Sequence, residues 1–244
     1  MAGLFSKLFH RGPEGHPYCA AVVPAAGNAS RMQGIDKILT DLGGMPVLAR
    51  TLLALQECPL IDEIVVVTRE DLIVPISDLC AQYAIDKVTK VVKGGRDRAE
   101  SVSLGLREVS RQAELAAIHD GARPFVSQEI LREVLETAAK TGAAAPAVPV
   151  KDTIKQAADG KVQRTLDRST LFAVQTPQVF QADFIAGVLQ RCREQGIPLT
   201  DDCSAAEALG MTVTLTTGSY ENLKITTPID LAMGEAILQC QAQV

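Results

Sequence analysis

The chain has 244 residues, with 24 lysines and arginines against 29 aspartates and glutamates, and a formal net charge of -5. A chain of this length with 47% hydrophobic and 22% charged residues is typical of a globular protein of one large α/β domain or two small ones. Its acidic balance does not favour binding to nucleic acid or to an anionic membrane, because both attract a basic protein surface.

Cysteine spacing and the lengths of the apolar runs narrow the class of protein further. The six cysteines are widely spaced and form no C-x-x-C pair, which argues against a zinc site and suits the reducing cytoplasm. No apolar run approaches the roughly 18 residues of a membrane helix. Residues 1–17 lack the apolar core and the cleavage site of a signal peptide, so we interpret them as a flexible extension. We therefore expect a cytoplasmic protein whose residues 18–244 form a single domain.

From residue 19 onward, short apolar runs alternate with helical patterns. Strands are predicted at 19–24, 61–68, 87–92, 115–120 and 143–150. Helices are predicted between them at 46–58, 69–84, 97–112 and 128–141. Pro75 is expected to interrupt or kink the second of these helices. Because the connections are short, this alternation predicts an α/β fold with a mostly parallel, twisted sheet flanked by helices.

The segment from about 150 to 172 breaks this alternation. Two β-like pieces flank Asp159-Gly160, which is a strong signal for a hairpin turn. The hairpin has few apolar residues to bury, so by itself it would be only marginally stable. Either it packs against a second copy of the chain, or it is a solvated excursion on the monomer.

The remainder of the chain returns to helices and strands. Helices are predicted at 180–195 and 201–209, and strands at 211–218 and 222–226. The sequence TPID at 227–230 then predicts the start of a last helix. It places a hydroxyl at the N-cap, proline at the first helical position and an acid at the third.

The loop after the first strand is the first candidate for a ligand site, since ligands of parallel sheets bind beyond the carboxyl ends of the strands. Small residues in PAAGNASRM, at 24–32, let backbone amides approach a phosphate, and Arg31 and Lys37 add the positive charge that a triphosphate demands. The same loop is also explained as an ordinary turn with two solvated cations. It is neither a P-loop nor a dinucleotide loop, because Ala29 and Met32 occupy positions where glycine would be needed.

Two further loops follow predicted strands. The segment GGRDRAES, at 94–101, combines paired glycines with a helix start, which suits a ligand but is equally typical of a plain turn. In HDGARPF, at 119–125, Asp120 ends an apolar strand, where a carboxylate is well placed to hold Mg²⁺ together with phosphate oxygens. Alternatively, Asp120 pairs with Arg123 in a structural turn. His119 is interpreted as a packed residue rather than a ligand.

Taken together, these motifs resemble the 2-C-methyl-D-erythritol 4-phosphate cytidylyltransferase family. The resemblance runs from about residue 19 to the C-terminus and rests on strings that follow one another in family order and spacing. They are VVPAAG with Arg31-Met32 and Lys37, GGRDRAESV, HDGARPF, PVKDTIK, DRSTLFAVQTPQVF, LTDDCSAAE and ENLKITTPIDL.

The resemblance implies a Rossmann-like nucleotidyltransferase fold with a protruding β-arm used for dimerisation. It also implies transfer of CMP from CTP to a polyol phosphate, with release of pyrophosphate. The implied cofactor is Mg²⁺, and other divalent cations are compatible with the same chemistry. Because the acceptor phosphate is already an anionic nucleophile, a Ser-His-Asp or Cys-His set is not expected.

The resemblance also assigns residues to roles. The implied nucleotide contacts are Pro24, Ala25, Ala26, Gly27, Arg31, Lys37, Gly95, Ser101, Asp120 and Gly121. The implied acceptor contacts are Asp120, Arg123, Thr153, Arg168, Thr176, Thr200 and Lys224. Catalysis would depend on Arg31, Lys37, Asp120 and Lys224, with Asp120 as the metal ligand. Thr153 and Arg168 would reach the site of the neighbouring subunit of a homodimer.

A few positions depart from the family pattern. The family commonly has G-x-G-x-R-M and P-K-Q, whereas this chain has Ala29 in the first string and Asp36 and Ile38 on either side of Lys37. Arg96 stands where an acid often follows the two glycines. We expect these changes to affect rates and affinities rather than the reaction.

Three alternative functions are compatible with an α/β fold of this kind. The nearest is ribitol-5-phosphate cytidylyltransferase, which performs the same chemistry on another polyol phosphate. A more distant one is a non-catalytic, nucleotide-binding regulator on the same fold. A dinucleotide-dependent oxidoreductase is disfavoured, because the glycine fingerprint is missing.

Overall fold

The computed structural model describes residues 15–27 and 37–242, and it is built around one large sheet. Its strands are β1 (Cys19–Pro24), β2 (Glu63–Thr68), β3 (Val88–Lys93), β4 (Leu115–Ile118), β5 (Ala143–Pro149), β6 (Lys155–Ala158), β7 (Lys161–Thr165), β8 (Phe172–Val174), β9 (Gln178–Gln181) and β10 (Thr214–Thr217). Its α-helices are α1 (Val47–Gln56), α2 (Ile73–Gln82), α3 (Arg98–Glu108), α4 (Gln128–Thr141), α5 (Ala182–Glu194), α6 (Asp202–Ala208) and α7 (Pro228–Gln241).

The main sheet has the strand order β10-β5-β9-β4-β1-β2-β3. An eighth strand, β8, also pairs with β5. Strands β3, β2, β1 and β4 run parallel to one another, while β9 lies antiparallel to both of its neighbours, β4 and β5. Every residue of β2 and β4 is buried, which is typical of strands covered by helices on both faces. The chain passes from β1 to β2 and β3 on one side and places β4 on the other. The strand order therefore switches between β1 and β4.

The predicted α/β class with a mostly parallel sheet is confirmed, and several elements lie where the sequence predicts them. Strand β1 and helix α4 have the predicted bounds. Helix α7 begins at a capping box, in which Thr227 accepts from the Asp230 amide and the Asp230 carboxylate accepts from the Thr227 amide. The sequence TPID therefore caps the start of α7, as predicted.

Three details of the prediction are wrong. The segment predicted as a helix at 69–84 is divided into a 3-10 turn, Glu70–Leu72, and α2; Pro75 lies in the first turn of α2, where its missing N–H has no intrahelical partner to lose. Residues 222–226 do not form a strand; Ile225 donates its amide to the Ala122 carbonyl at 2.8 Å, which holds this segment against the loop after β4. The short strands β8 and β9 are absent from the prediction.

The predicted hairpin is present as β6 and β7, which pair with each other and with no other described strand. Asp159 and Gly160 both have positive φ, at 50° and 73°, as a tight turn of this kind requires. All residues of the two strands are exposed. The use of this hairpin in dimerisation stays a prediction. The single-domain boundary at residue 18 also stays a prediction. The predicted extension, 1–17, lies mostly outside the described residues. No helix in the described part of the chain has the length and apolar character of a membrane span.

Gly105 allows α3 to pack closely on the sheet, and we expect Gly105→Ala to destabilise the protein. A Cβ at this position would lie 2.5 Å from Val22 Cγ1 and 2.7 Å from Val67 Cγ2, both in buried strands. Alanine gains about 1 kcal/mol of helix propensity, but overpacking a core typically costs about 1–3 kcal/mol. The midpoint of urea unfolding should therefore fall. Gly187→Ala, in helix α5 where a Cβ would meet no atom within 4 Å, should show no such fall.

Candidate functional site

A cleft of about 450 Å³ lies at the carboxyl edge of the sheet, at the switch between β1 and β4. Loops that follow β1, β2, β3 and β4 form its walls, and the segment before α7 closes one side. This is the place where open parallel sheets bind their ligands. The predicted site residues that line it are Pro24, Ala25, Ala26, Gly27, Lys37, Gly95, Ser101, Asp120, Gly121 and Lys224.

The glycine loop after β3 is held in place by Ser101. The Ser101 hydroxyl donates to the Asp97 carbonyl at 2.8 Å and accepts from the Gly95 amide at 3.1 Å. Asp97 in turn caps α3, since its carboxylate accepts from the Glu100 amide. A Cβ on Gly94 would lie 2.8 Å from Ser101 Oγ, so this position needs glycine. The short sequence GGRDRAES thus builds a backbone surface that a ligand can approach closely.

The family resemblance implies that Ser101 contacts CTP, and on that expectation Ser101→Ala should weaken nucleotide binding while leaving the fold intact. The change releases the Gly95 amide, and one hydrogen bond of this kind contributes about 0.5–1.5 kcal/mol. The KM for CTP should rise roughly 2- to 10-fold, with a smaller change in kcat. Ser103→Ala, on the same helix, is the matched control. A KM for CTP equal to that of the parent protein would contradict this role.

Asp120 stands at the centre of the charges in the cleft. Lys224 Nζ lies 2.8 Å from its Oδ2, and Arg98 Nε lies 3.2 Å from its Oδ1. Arg123 Nε approaches Oδ2 to 3.7 Å from the side of the turn that begins at Asp120. Burial disfavours the charge of Asp120, but Arg98 and Lys224 outweigh burial, so the pKa of this carboxyl lies well below its usual value. The group is ionised at neutral pH.

Arg98 joins Asp120 to a second acidic residue that the sequence analysis missed. Its Nη1 lies 2.8 Å from Oδ2 of Asp202, a carboxylate with 1% of its surface exposed at the start of α6. Burial raises the pKa of Asp202, and the Arg98 charge opposes that shift. Both residues stand in strings that carry the family resemblance, GGRDRAESV and LTDDCSAAE, but no periodicity in the sequence indicates that they meet.

A hydrogen-bonded group lies behind Asp120, away from the cleft. The Asp120 amide donates to Thr176 Oγ1 at 3.1 Å, and this hydroxyl lies 3.1 Å from His119 Nδ1. His119 Nε2 lies 3.2 Å from the Arg123 carbonyl oxygen. Burial lowers the pKa of His119 to about 4, so its imidazole is neutral at pH 7. His119 is thus a packed strand-end residue, as predicted.

The structure does not bring every predicted site residue into the cleft. Thr176 is buried behind Asp120, and Arg123 contacts Asp120 without lining the cleft. Thr153, Arg168 and Thr200 are exposed and lie outside the cleft lining. Arg31 lies outside the described residues, as do Ala29 and Asp36. Ile38 and Arg96, the two other departures from the family pattern, line the cleft.

Lys37 lies next to the small residues of the β1 loop. A Cβ on Gly27 would lie 3.8 Å from both Cε and Nζ of Lys37. A ligand that follows the backbone at Gly27 would therefore meet the ammonium group of this lysine. The predicted pairing of a small-residue loop with a cation is present for Lys37.

Side chains that could bind a metal ion are sparse in the described part of the chain. Within residues 15–27 and 37–242 there is no group of three or more His, Cys, Asp or Glu side chains that could hold a metal ion. Mg²⁺ commonly takes only one or two protein carboxylates and completes its shell with water and substrate phosphates. The single ionised Asp120 carboxylate fits that pattern, provided that a ligand in the cleft brings phosphate oxygens.

Comparison with known proteins gives concordant matches. A family model described as IspD, 2-C-methyl-D-erythritol 4-phosphate cytidylyltransferase, matches residues 19–240. The 2-C-methyl-D-erythritol 4-phosphate cytidylyltransferase of Halalkalibacterium halodurans is 45% identical over 220 residues, covering 90% of this chain and 96% of the relative. The corresponding protein of Syntrophus aciditrophicus is 42% identical over 226 residues, covering 91% and 97%.

Solved structures give the same result for the fold. The crystal structure of 4-diphosphocytidyl-2C-methyl-D-erythritol synthase from Anaerococcus prevotii matches with a TM-score of 0.82 at 32% identity, covering 91% of this chain and 98% of that chain. The crystal structure of 2-C-methyl-D-erythritol 4-phosphate cytidylyltransferase from Thermus thermophilus matches with a TM-score of 0.75 at 31% identity, covering 91% and 99%.

Proposed function

The chain belongs to the 2-C-methyl-D-erythritol 4-phosphate cytidylyltransferase family, and on this premise we propose how its cleft works. The enzyme transfers CMP from CTP to 2-C-methyl-D-erythritol 4-phosphate, a step of the non-mevalonate route to isoprenoid precursors. The products are 4-diphosphocytidyl-2-C-methyl-D-erythritol and pyrophosphate. The observation that best supports this function is the cluster of Arg98, Arg123 and Lys224 around Asp120 at the switch point of the sheet.

CTP is proposed to lie along the β1 loop, with its nucleoside towards the glycine loop of Gly95 and Ser101. The small residues Pro24, Ala25, Ala26, Gly27 and Gly121 leave room for this close approach. Lys37, beside Gly27, would neutralise charge on the triphosphate. Arg31 is proposed to do the same from the part of the loop outside the described residues.

The acceptor phosphate is proposed to enter on the side of Lys224. One of its oxygens attacks the α-phosphorus of CTP; a new P–O bond forms, the bond to the β-phosphate oxygen breaks, and pyrophosphate leaves. Because this oxygen is already negatively charged near neutral pH, no protein group has to remove a proton from it. The protein's contribution is therefore to position two anions and to balance the charge that develops between them.

Asp120 is proposed to hold Mg²⁺ together with phosphate oxygens of the nucleotide. A bound Mg²⁺ supplies charge neutralisation at the phosphates and favours a leaving pyrophosphate. Asp120 is suited to this role because its carboxylate is ionised and already faces the cleft. The cations that surround it, Lys224 above all, would then be available to contact the acceptor phosphate.

The β6–β7 arm is proposed to make the enzyme a homodimer and to bring Thr153 and Arg168 to the site of the neighbouring subunit. Exposed apolar side chains on and beside the arm support this, since Val162 is 63% exposed and Phe172 46% exposed. A mixture of Lys37→Ala and Arg168→Ala proteins should then regain part of the lost activity, because each heterodimer has one intact site. An absence of recovery, after subunit exchange has been demonstrated, would contradict action in trans.

The acceptor assay tests the function itself. With CTP and Mg²⁺, pyrophosphate release should be fast with 2-C-methyl-D-erythritol 4-phosphate and slow with ribitol 5-phosphate, and it should be lost when the metal is chelated. Faster release with ribitol 5-phosphate would favour the sister activity. Tight CTP binding without pyrophosphate release from either acceptor would favour a non-catalytic regulator.

We propose a cytoplasmic location for this activity. The six cysteines are all free thiols, and five of them are buried, as is usual for proteins of a reducing compartment. Fractionation of the native host cells, with detection of the enzyme activity, tests this location.

A further inference from the structure

His119 follows β4 directly, is fully buried, and does not line the cleft. Its two ring nitrogens are nevertheless linked to the two ends of the turn that carries Asp120 and Arg123, one directly and the other through Thr176. Nε2 faces the Arg123 carbonyl oxygen at 3.2 Å, and Nδ1 faces Thr176 Oγ1 at 3.1 Å, which in turn lies 3.1 Å from the Asp120 amide. The turn between these ends is closed by a backbone bond from the Arg123 amide to the Asp120 carbonyl at 3.0 Å.

These contacts determine where the protons of the group lie. A carbonyl oxygen only accepts, so His119 Nε2 must carry a hydrogen and donate it to Arg123. The Thr176 oxygen already accepts from the Asp120 amide, and its own proton needs an acceptor because a buried unpaired donor is costly. His119 Nδ1 is the acceptor within reach. The donor sequence therefore runs from Asp120 N–H to Thr176, from Thr176 O–H to His119, and from His119 N–H to Arg123.

We propose that His119 is a positioning residue of the enzyme: in its Nε2–H form it fixes the Thr176 hydroxyl and thereby the turn that aims Asp120 at the cleft and holds Arg123 beside it. The same group extends to the segment of Lys224. Asn222 donates to the Thr176 carbonyl at 3.1 Å, and Arg123 donates to the Asn222 carbonyl at 2.6 Å. Towards a ligand, Thr176 keeps at most one lone pair. Because its proton is donated to His119, the Thr176 hydroxyl cannot donate a hydrogen bond to a phosphate.

The proton assignment is tested first without any measurement of activity. The chain has three histidines, so a His10→Gln/His16→Gln variant retains only His119. With ¹⁵N-labelled histidine, two-bond ¹H–¹⁵N spectra at pH 7.5 should show Nε2 protonated and Nδ1 bare, and Thr176→Val should shift the Nδ1 signal. An Nδ1–H tautomer, or the averaged signals of an exposed imidazole, would overturn the proposal.

The catalytic consequence rests on the proposed function and is tested with variants of Thr176. Thr176→Val removes both hydrogen bonds with little change in shape. It should lower kcat about 10-fold, with the KM for CTP changed less than about twofold. Thr176→Ser restores the hydroxyl and should restore most of kcat. Thr216→Val is the matched control, because Thr216 is a buried threonine outside the site whose hydroxyl has no partner among the described residues.

A double variant shows whether His119 acts through Thr176 or independently of it. If His119 acts through Thr176, the double variant His119→Leu/Thr176→Val should lose no more activity than its more impaired parent. Additive losses of activity in the double variant, or a Thr176→Val protein with the parent kcat, would overturn the proposal. Thermal unfolding of each protein shows whether it is folded. If the parent protein has no activity with any acceptor, the proposed function fails, whereas the spectra still decide the proton assignment.

Discussion

Replacing Asp120 with asparagine is expected to lower kcat about 10²- to 10³-fold, because the cleft loses the carboxylate that Arg98, Arg123 and Lys224 surround. Asparagine keeps the shape of the side chain, so the fall in kcat measures the effect of removing the charge. Lys224 and Arg98, now 2.8 Å and 3.2 Å from the Asp120 oxygens, would lose their common ion-pair partner. The amide would also be a poorer ligand for Mg²⁺ than a carboxylate.

The measurement is pyrophosphate release at saturating CTP, acceptor and Mg²⁺. Glu108→Gln, which removes an exposed carboxylate paired with Lys90 at the far end of α3, is the matched control and should stay within about twofold of the parent. Raising the Mg²⁺ concentration should recover little of the activity of the Asp120→Asn protein. A folded Asp120→Asn protein with more than a tenth of the parent kcat would show that Asp120 is not central to the reaction.

The same variant has a predictable pH dependence of stability. The folded state lowers the pKa of Asp120, so its ionised form stabilises the fold at pH values above the unfolded value of about 3.9. That contribution is lost as the pH falls through the lowered pKa. The difference in unfolding free energy between parent and Asp120→Asn should therefore be largest near pH 7 and should shrink below about pH 4.

The parts of the fold that the sequence predicts well are those set by local patterns. The apolar run of β1, the helical face of α4, the turn residues Asp159-Gly160 and the cap at Thr227 each carry their signal within a few residues. Strands β8 and β9 carry no such signal, because they have three and four residues and exist through pairing with β5 and β4. Residues 222–226 have strand-like composition, but their contacts are with a loop.

The same distinction applies to the site. The loops that follow β1, β3 and β4 could be predicted, because the carboxyl ends of parallel strands meet at one edge. The contact of Arg98 with Asp202 could not, since the two residues lie in distant strings and come together only because α3 and α6 both pack against α5. The predicted role of Thr153 and Arg168 depends on a second copy of the chain, so the geometry of one chain does not test it.

Replacing Arg98 with methionine is expected to lower the free energy of unfolding by about 3 kcal/mol, because it leaves the buried carboxylate of Asp202 without its ion-pair partner, a half-buried guanidinium. Asp202 has 1% of its surface exposed, and the guanidinium is its ion-pair partner at 2.8 Å. Methionine retains much of the apolar stem of arginine, so the fall in the free energy of unfolding measures mainly the effect of removing the charge. Arg107→Met, an exposed arginine in the last turn of the same helix, is the matched control and should change stability by less than about 0.5 kcal/mol.

The pH dependence of this variant separates a lost charge from lost packing. Without Arg98, burial raises the folded-state pKa of Asp202 further above its unfolded value, so the folded state takes up a proton more readily than the unfolded chain. The deficit of Arg98→Met should then shrink as the pH is lowered and Asp202 takes up its proton, as urea unfolding can show. Arg98→Met/Asp202→Asn, which removes both charges, should be more stable at pH 7.5 than Arg98→Met alone. If the loss of unfolding free energy in Arg98→Met did not depend on pH, and the double variant recovered none of it, Arg98 would stabilise the fold by packing. Its charge would then not couple Asp120 to Asp202.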